Sequence, residues 1–182
     1  VFTENVTKEA IKHDITYFPF IQFQDKLSGT TKVMTIDDEF IENLLKEQKN
    51  SSLTFSILAL LYPNLDYKNR DFHKDHLHPI SSFKYKVIEE RNIAEDKTAI
   101  YFNLENNNSI LNLQLLDGNE NESKQDKDLK EWVIEESKKQ NISIEKFCEN
   151  HLLPNILEFE EFPNFIKKRK ELLKNKLKNI IN

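Results

Sequence analysis

Cysteine and glycine are scarce in this chain, and it has no long apolar run. A lone Cys148 excludes an intrachain disulfide and a cysteine-based zinc cage, and it fits a reducing compartment, with the cytoplasm as the expectation. The longest apolar run, Ile57 to Tyr62, is far too short to cross a bilayer, and the first residues resemble neither a basic n-region nor a leader, so no membrane partner is expected. With only two glycines in 182 residues, Gly118 in the Asp117-Gly118-Asn119 turn is expected to serve for its backbone freedom. The chain begins at Val1 without an initiator Met, which suggests an excised domain whose N-terminal partner is missing.

What is present describes a folding chain. Charged residues make up 31% and apolar residues 38%, with 13 phenylalanines among them, enough for one sizeable core and unlike a disordered tail. A net charge of −5 argues against binding nucleic acid by bulk electrostatics, because phosphate affinity comes from clustered Lys and Arg. The average hides a gradient: residues 164–182 carry a local +6, which leaves −11 on the rest. Any DNA contact must therefore be local.

Apolar spacing organises the chain. Thr35 is placed to cap a helix whose stripe is Phe40, Ile41, Leu44 and Leu45. Residues 52–61 alternate like a strand at first and then fit a buried helix, the reading favoured here, before Pro63 and a polar loop from Asp66 to Asp71. Residues 80–109 contain Phe83, Val87 and Ile88 and then drift into Asn106, Asn107 and Asn108, a turn signal. From Ile110 to Leu116, leucines alternate with Asn112 and Gln114, predicting a half-buried strand. A polar helix is expected from about Glu120 to about Lys139, anchored by Leu129, Trp132 and Val133. A short helix from Ser143 and a last helix from Phe162 or Asn164 follow.

Two patches bear chemistry: Asp75-His76-Leu77-His78-Pro79, and the segment from Asn112 to Asn121. Phosphodiester hydrolysis needs a cation to neutralise charge and a base to make water nucleophilic. Asp75 and Asn121 supply the hard oxygen donors that a magnesium-like cation takes, and His76 is the natural base. Neighbours on a regular strand point to opposite faces, so Asp75 and His76 flank one phosphate only if the strand bends or ends there.

These residues resemble the HNH, or His-Me finger, nucleases. The match is DHLHP at 75–79 followed by SILNLQLLDGNENESK at 109–124. More closely, FHKDHLHPISSF and NLQLLDGNENESKQDK are similar to the nuclease domain of GmrSD-type restriction endonucleases, bacterial anti-phage enzymes, and the likeness covers roughly residues 52–182. The resemblance implies an α+β fold with a ββα-metal core embedded in a mainly helical domain. Its implied parts are an N-terminal helical segment over 1–51, the nuclease core over 52–140 and a helical packing segment over 141–182.

It also implies roles. Asp75 and Asn121 would bind a divalent metal, magnesium first and manganese as a substitute, His76 would activate water, and Asn112 would orient His76 or its loop. Lys124 and Lys127 would contact DNA phosphates, and an upstream NTP-handling domain would be the partner. His78 stands where relatives carry an aliphatic or aromatic residue, and it is kept as a secondary contact of the site beside a purely structural reading. His73, His76 and His78 alternate with no cysteine nearby, which disfavours structural zinc. His13 and His151 read as surface or capping residues. The competing functions are a catalytically degenerate DNA-binding or dimerisation module, and an RNase on the same core.

Overall fold

The first helix follows from its stripe. In the computed structural model, which describes residues 37–181, α1 (Asp38–Leu45) buries Ile41 and Leu45 and carries Asp38 and Glu39 in its first turn, where they suit the helix dipole. Thr35 and His13 lie outside the described residues. The stretch at 52–61 is helical: α2 (Thr54–Leu61) buries Thr54, Ile57, Leu58 and Leu61. Among the described residues no helix is long and apolar enough to cross a membrane.

Two strands, β1 (Phe72–His76) and β2 (Leu113–Asp117), pair antiparallel, with Phe72 opposite Asp117, Asp75 opposite Gln114 and His76 opposite Leu113. Between them, where an Asn-rich drift is read from sequence, lie three short helices: α3 (Tyr85–Glu90), α4 (Glu95–Phe102) and α5 (Leu104–Asn107). Asn103 caps the last of these, its Oδ1 accepting from the Glu105 amide at 2.9 Å. The molecule is thus a mixed α+β structure, largely helical around a small sheet.

Three expectations need correcting. The strand expected over Ile110–Leu116 begins with a helical turn at Ile110–Asn112, and β2 is buried along its whole length, so Asn112 and Gln114 are fully enclosed rather than half wet. The Asp117-Gly118-Asn119 turn is instead the start of α6 (Gly118–Lys124): Asp117 Oδ1 accepts from the Glu120 amide at 2.9 Å, and the Glu120 carboxylate returns to the Asp117 amide at 3.3 Å, a reciprocal capping box. Gly118 has no left-handed backbone, and a Cβ there would meet nothing within 4 Å, so its freedom is not used. Finally, the single helix expected over 120–139 is broken. The chain reverses at Gln125, φ 45°, and α7 (Leu129–Lys139) starts afresh on the buried anchors Leu129, Trp132 and Val133.

The chain continues through α8 (Ile144–Asn150), whose cap Ser143 accepts from the Lys146 amide at 3.1 Å, to α9 (Phe162–Ile181). Much of the positive charge of α9 faces inward to partners. Lys170, Lys174 and Lys178 pair with Glu42 and Asp38 of α1. Arg169 is fully buried; its guanidinium donates to the carbonyls of Leu113 and Leu152, at 2.8 and 3.2 Å, and to the Tyr62 hydroxyl at 3.2 Å. Residues 38–181 belong to one compact unit, and most of the segment expected over 1–51 lies outside the described residues.

Candidate active site

The first strand ends directly after the Asp75-His76 pair. β1 stops at His76, the Leu77 amide donates to the Asn112 carbonyl at 2.8 Å, and the chain bends through Leu77 and His78. Asn112 holds that bend: its Oδ1 accepts from the His78 amide at 3.0 Å while its Nδ2 donates to the carbonyls of His78 and Asn107 at 2.9 and 2.8 Å. A primary amide completely out of water is tolerated because all three bonds are made. Of the two jobs expected of Asn112, it does the second, fixing the loop rather than touching the imidazole.

Asp75 is 14% exposed, and its Oδ2 lies 3.0 Å from Lys124 Nζ and 3.4 Å from Gln114 Nε2. Lys124 is fully buried, and the same ammonium donates to the His76 carbonyl at 2.5 Å and sits 5.7 Å from the centre of the Trp132 ring. Burial lowers its pKa, and Asp75 opposes that shift. Only such pairing makes a buried ammonium tolerable. Lys124 is therefore not presented to an outside phosphate; it bridges α6 to the end of β1. Lys127, the other expected phosphate contact, pairs with Glu135 at 2.5 Å.

Asn121 lies one turn before Lys124 on α6, the i to i+3 spacing that puts both on one face of the helix. It is half-buried. Its backbone carbonyl accepts from the Gln125 amide at 3.1 Å, and Asp75 is met from α6 by Lys124.

His76 is 8% exposed and sits in a polar network that the sequence did not reveal. Its Nε2 is 3.0 Å from Asn108 Oδ1, and its Nδ1 is 3.4 Å from Lys49 Nζ. Gln48 settles the proton positions. The Gln48 amide nitrogen donates to the carbonyls of Lys46 and Leu104, which leaves its Oε1 to accept from Asn108 Nδ2 at 3.1 Å. Asn108 must then turn its oxygen to His76, so Nε2 carries the hydrogen and Nδ1 holds the lone pair that faces Lys49 Nζ. Burial pushes the imidazole below its ordinary pKa, with the Asn108 bond opposing. A base with one nitrogen tethered and the other carrying a lone pair is the arrangement a proton-abstracting histidine needs.

His78, two residues on, is not brought to this group. Its ring is 1% exposed and is met edge-on by Phe159, Phe162 and Phe165 at 5.7, 5.5 and 4.7 Å, and burial drives its pKa down to about 3. His73 is exposed on β1, and His151 stacks on Phe147 at 4.1 Å with its pKa pushed down to about 4 by burial.

Sequence reasoning missed Gln48, Lys49 and Asn108. Lys49 stands in a connection between helices, and Asn108 was one asparagine among several in a turn. Their pairing, with the Lys49 amide on the Asn108 carbonyl at 2.9 Å and a bridge from Gln48 to Ser109, joins segments far apart in the chain. Among the described residues, no group of three or more His, Cys, Asp or Glu side chains is placed to hold a metal ion. No protein-family model matches the chain, and no curated protein gives a significant match.

Proposed function

We propose that this chain is a metal-dependent DNA endonuclease with an HNH-type ββα core, similar to the nuclease domain of GmrSD-type restriction enzymes and acting in anti-phage defence in the cytoplasm. One observation carries the reading. Asp75 and a tautomer-fixed His76 stand together at the end of a strand, and the helix that directly follows the paired strand lies against them through Lys124.

In this reading His76 Nδ1 takes a proton from water, the water oxygen attacks phosphorus in line, and the P–O3′ bond breaks. The products are a 5′-phosphate and a 3′-hydroxyl, the latter completed by a proton from solvent. A divalent cation, magnesium or manganese, would be held by Asp75 and Asn121 and would supply charge neutralisation on the phosphate and leaving oxygen. A carboxylate and an amide oxygen are donors of the type a hard cation takes, and Lys124 would have to yield Asp75 to it. Asn112 holds the bend that directly follows His76, which in this reading fixes the end of the strand carrying Asp75 and His76. An upstream NTP-handling domain would govern triggering and target choice.

Supercoiled plasmid tests this directly. The purified chain should nick it with magnesium or manganese and stop with chelator. Asn121→Ala should slow metal-dependent nicking while circular dichroism stays unchanged. A second reading, a degenerate DNA-binding module, draws on the Lys124 ammonium at Asp75, where it would exclude a metal. Inertness across metals would favour it, and competition between RNA and duplex DNA separates an RNase.

A further inference from the structure

We propose that Lys49 is the phosphate contact of this site, leaving His76 Nδ1 for the substrate and thereby uncovering the base; this rests on the nuclease reading and names how the site takes its polyanion. Two ammonium groups from different segments meet this pair, Lys49 at His76 and Lys124 at Asp75, and Lys74 Nζ donates to the Lys49 carbonyl. Asp75 pairs with Lys124, and among the described residues no carboxylate lies within ion-pair distance of Lys49 or Lys74. In a chain of net charge −5, Lys49 thus brings an ammonium without a paired carboxylate among the described residues to the candidate base.

Lys49 is also held in place by its backbone. Its amide donates to the Asn108 carbonyl at 2.9 Å, its carbonyl accepts from Lys74 Nζ at 2.5 Å, and the Gln48 carbonyl beside it accepts from Thr54 Oγ1 at 2.5 Å. The segment carrying Asn108, which tethers one nitrogen of His76, thus also positions the ammonium facing the other. A cation fixed this way costs little ordering when substrate arrives.

Its present partner is weak. A neutral imidazole lone pair at 3.4 Å is a long acceptor, whereas a phosphodiester oxygen offers a full charge and a shorter bond. Water deprotonated by Nδ1 must sit within hydrogen-bond reach of it, so the phosphorus under attack comes within the arc of the lysine side chain. Moving from nitrogen to phosphate, Lys49 both binds the substrate and exposes the lone pair.

Binding and cleavage are measured separately on the full chain. Anisotropy of a labelled DNA duplex in chelator, over a range of salt, reads binding; plasmid nicking with magnesium or manganese reads chemistry. Lys49→Gln keeps a stem and a donor for Nδ1 but no charge. It should weaken duplex binding about tenfold and make the slope of log K against log salt shallower by about one. Lys49→Arg should restore both, and Lys167→Ala on exposed α9 should change neither. Wild-type affinity and slope in Lys49→Gln, with nicking that still depends on His76, overturns the Lys49 assignment and leaves the nuclease reading standing. Lys49-dependent binding without nicking in any metal supports Lys49 and sinks the nuclease reading. A wild-type chain that neither binds nor nicks overturns both.

Discussion

His76 and His78 stand two residues apart and live in opposite surroundings. The first has both ring nitrogens matched to polar partners, Asn108 and Lys49; the second is ringed by Phe159, Phe162 and Phe165, with its Nε2 unpartnered. The bend at Leu77 and the Asn112 clamp separate them, turning one side chain toward the strand end and the other into the core. Residue type therefore says little here. What surrounds each ring decides whether it is available for proton transfer or for packing.

The sharpest way to break this contrast is to remove each ring in turn. His76→Ala is expected to cut plasmid nicking by roughly 100- to 10,000-fold, the usual contribution of a general base, with the circular dichroism spectrum unchanged. His78→Ala should instead lower unfolding free energy by about 3 kcal/mol in urea titration, since it opens a cavity among aromatic rings. An equal loss of stability in both would erase the distinction.

Acid sharpens it further. A histidine whose folded pKa lies below its ordinary 6.5 binds fewer protons folded than unfolded, so its stabilising effect is complete above pH 6.5 and is lost as pH falls. Between pH 6.5 and the folded values, about 4 for His151 and about 3 for His78, each of the two should remove roughly 1.4 kcal/mol per pH unit. His78→Leu keeps the cage filled and should remove one histidine's share of that slope. An unchanged slope in denaturant titrations across pH would contradict the buried neutral ring.

Smaller effects follow from the network. Asn108→Ala frees the Nε2 tether and should lower kcat about tenfold with KM little changed, because it disturbs the base and not the phosphate contact. Lys127→Ala, which removes a surface ion pair with Glu135, should move stability by less than about 0.5 kcal/mol and leave duplex affinity as it was.

The parts legible in sequence are those written by local periodicity. The stripes of α1, α2 and α9 predict helices that the fold contains, and the anchors Leu129, Trp132 and Val133 are buried as expected. The helices between the strands were not legible, because distant contacts help to hold them: Tyr101 of α4 donates its hydroxyl to the carbonyls of Phe159 and Glu160. Alternation misled at Asn112 and Gln114, since polar residues on a strand signal a wet face only when no buried partner receives them. At the candidate site, the Asp75-His76 pair and the bend after it could be anticipated from adjacency and Pro79. Asn108 and Lys49 could not, for they reach the imidazole only through folding.

The guanidinium of Arg169 has a consequence for how this chain tolerates trimming. It is a cation with no carboxylate partner among the described residues, anchored on three oxygens, and one of these is the carbonyl of Leu113, the residue laddered to His76. Lysine, with a point charge in place of a planar fork, is a poor substitute there. A truncation that spares every residue of the strand pair but stops short of position 169 would strand that carbonyl in a dry interior and loosen the seat of the imidazole from behind. A residue of the last helix is, in this sense, the back support of the strand pair that carries His76.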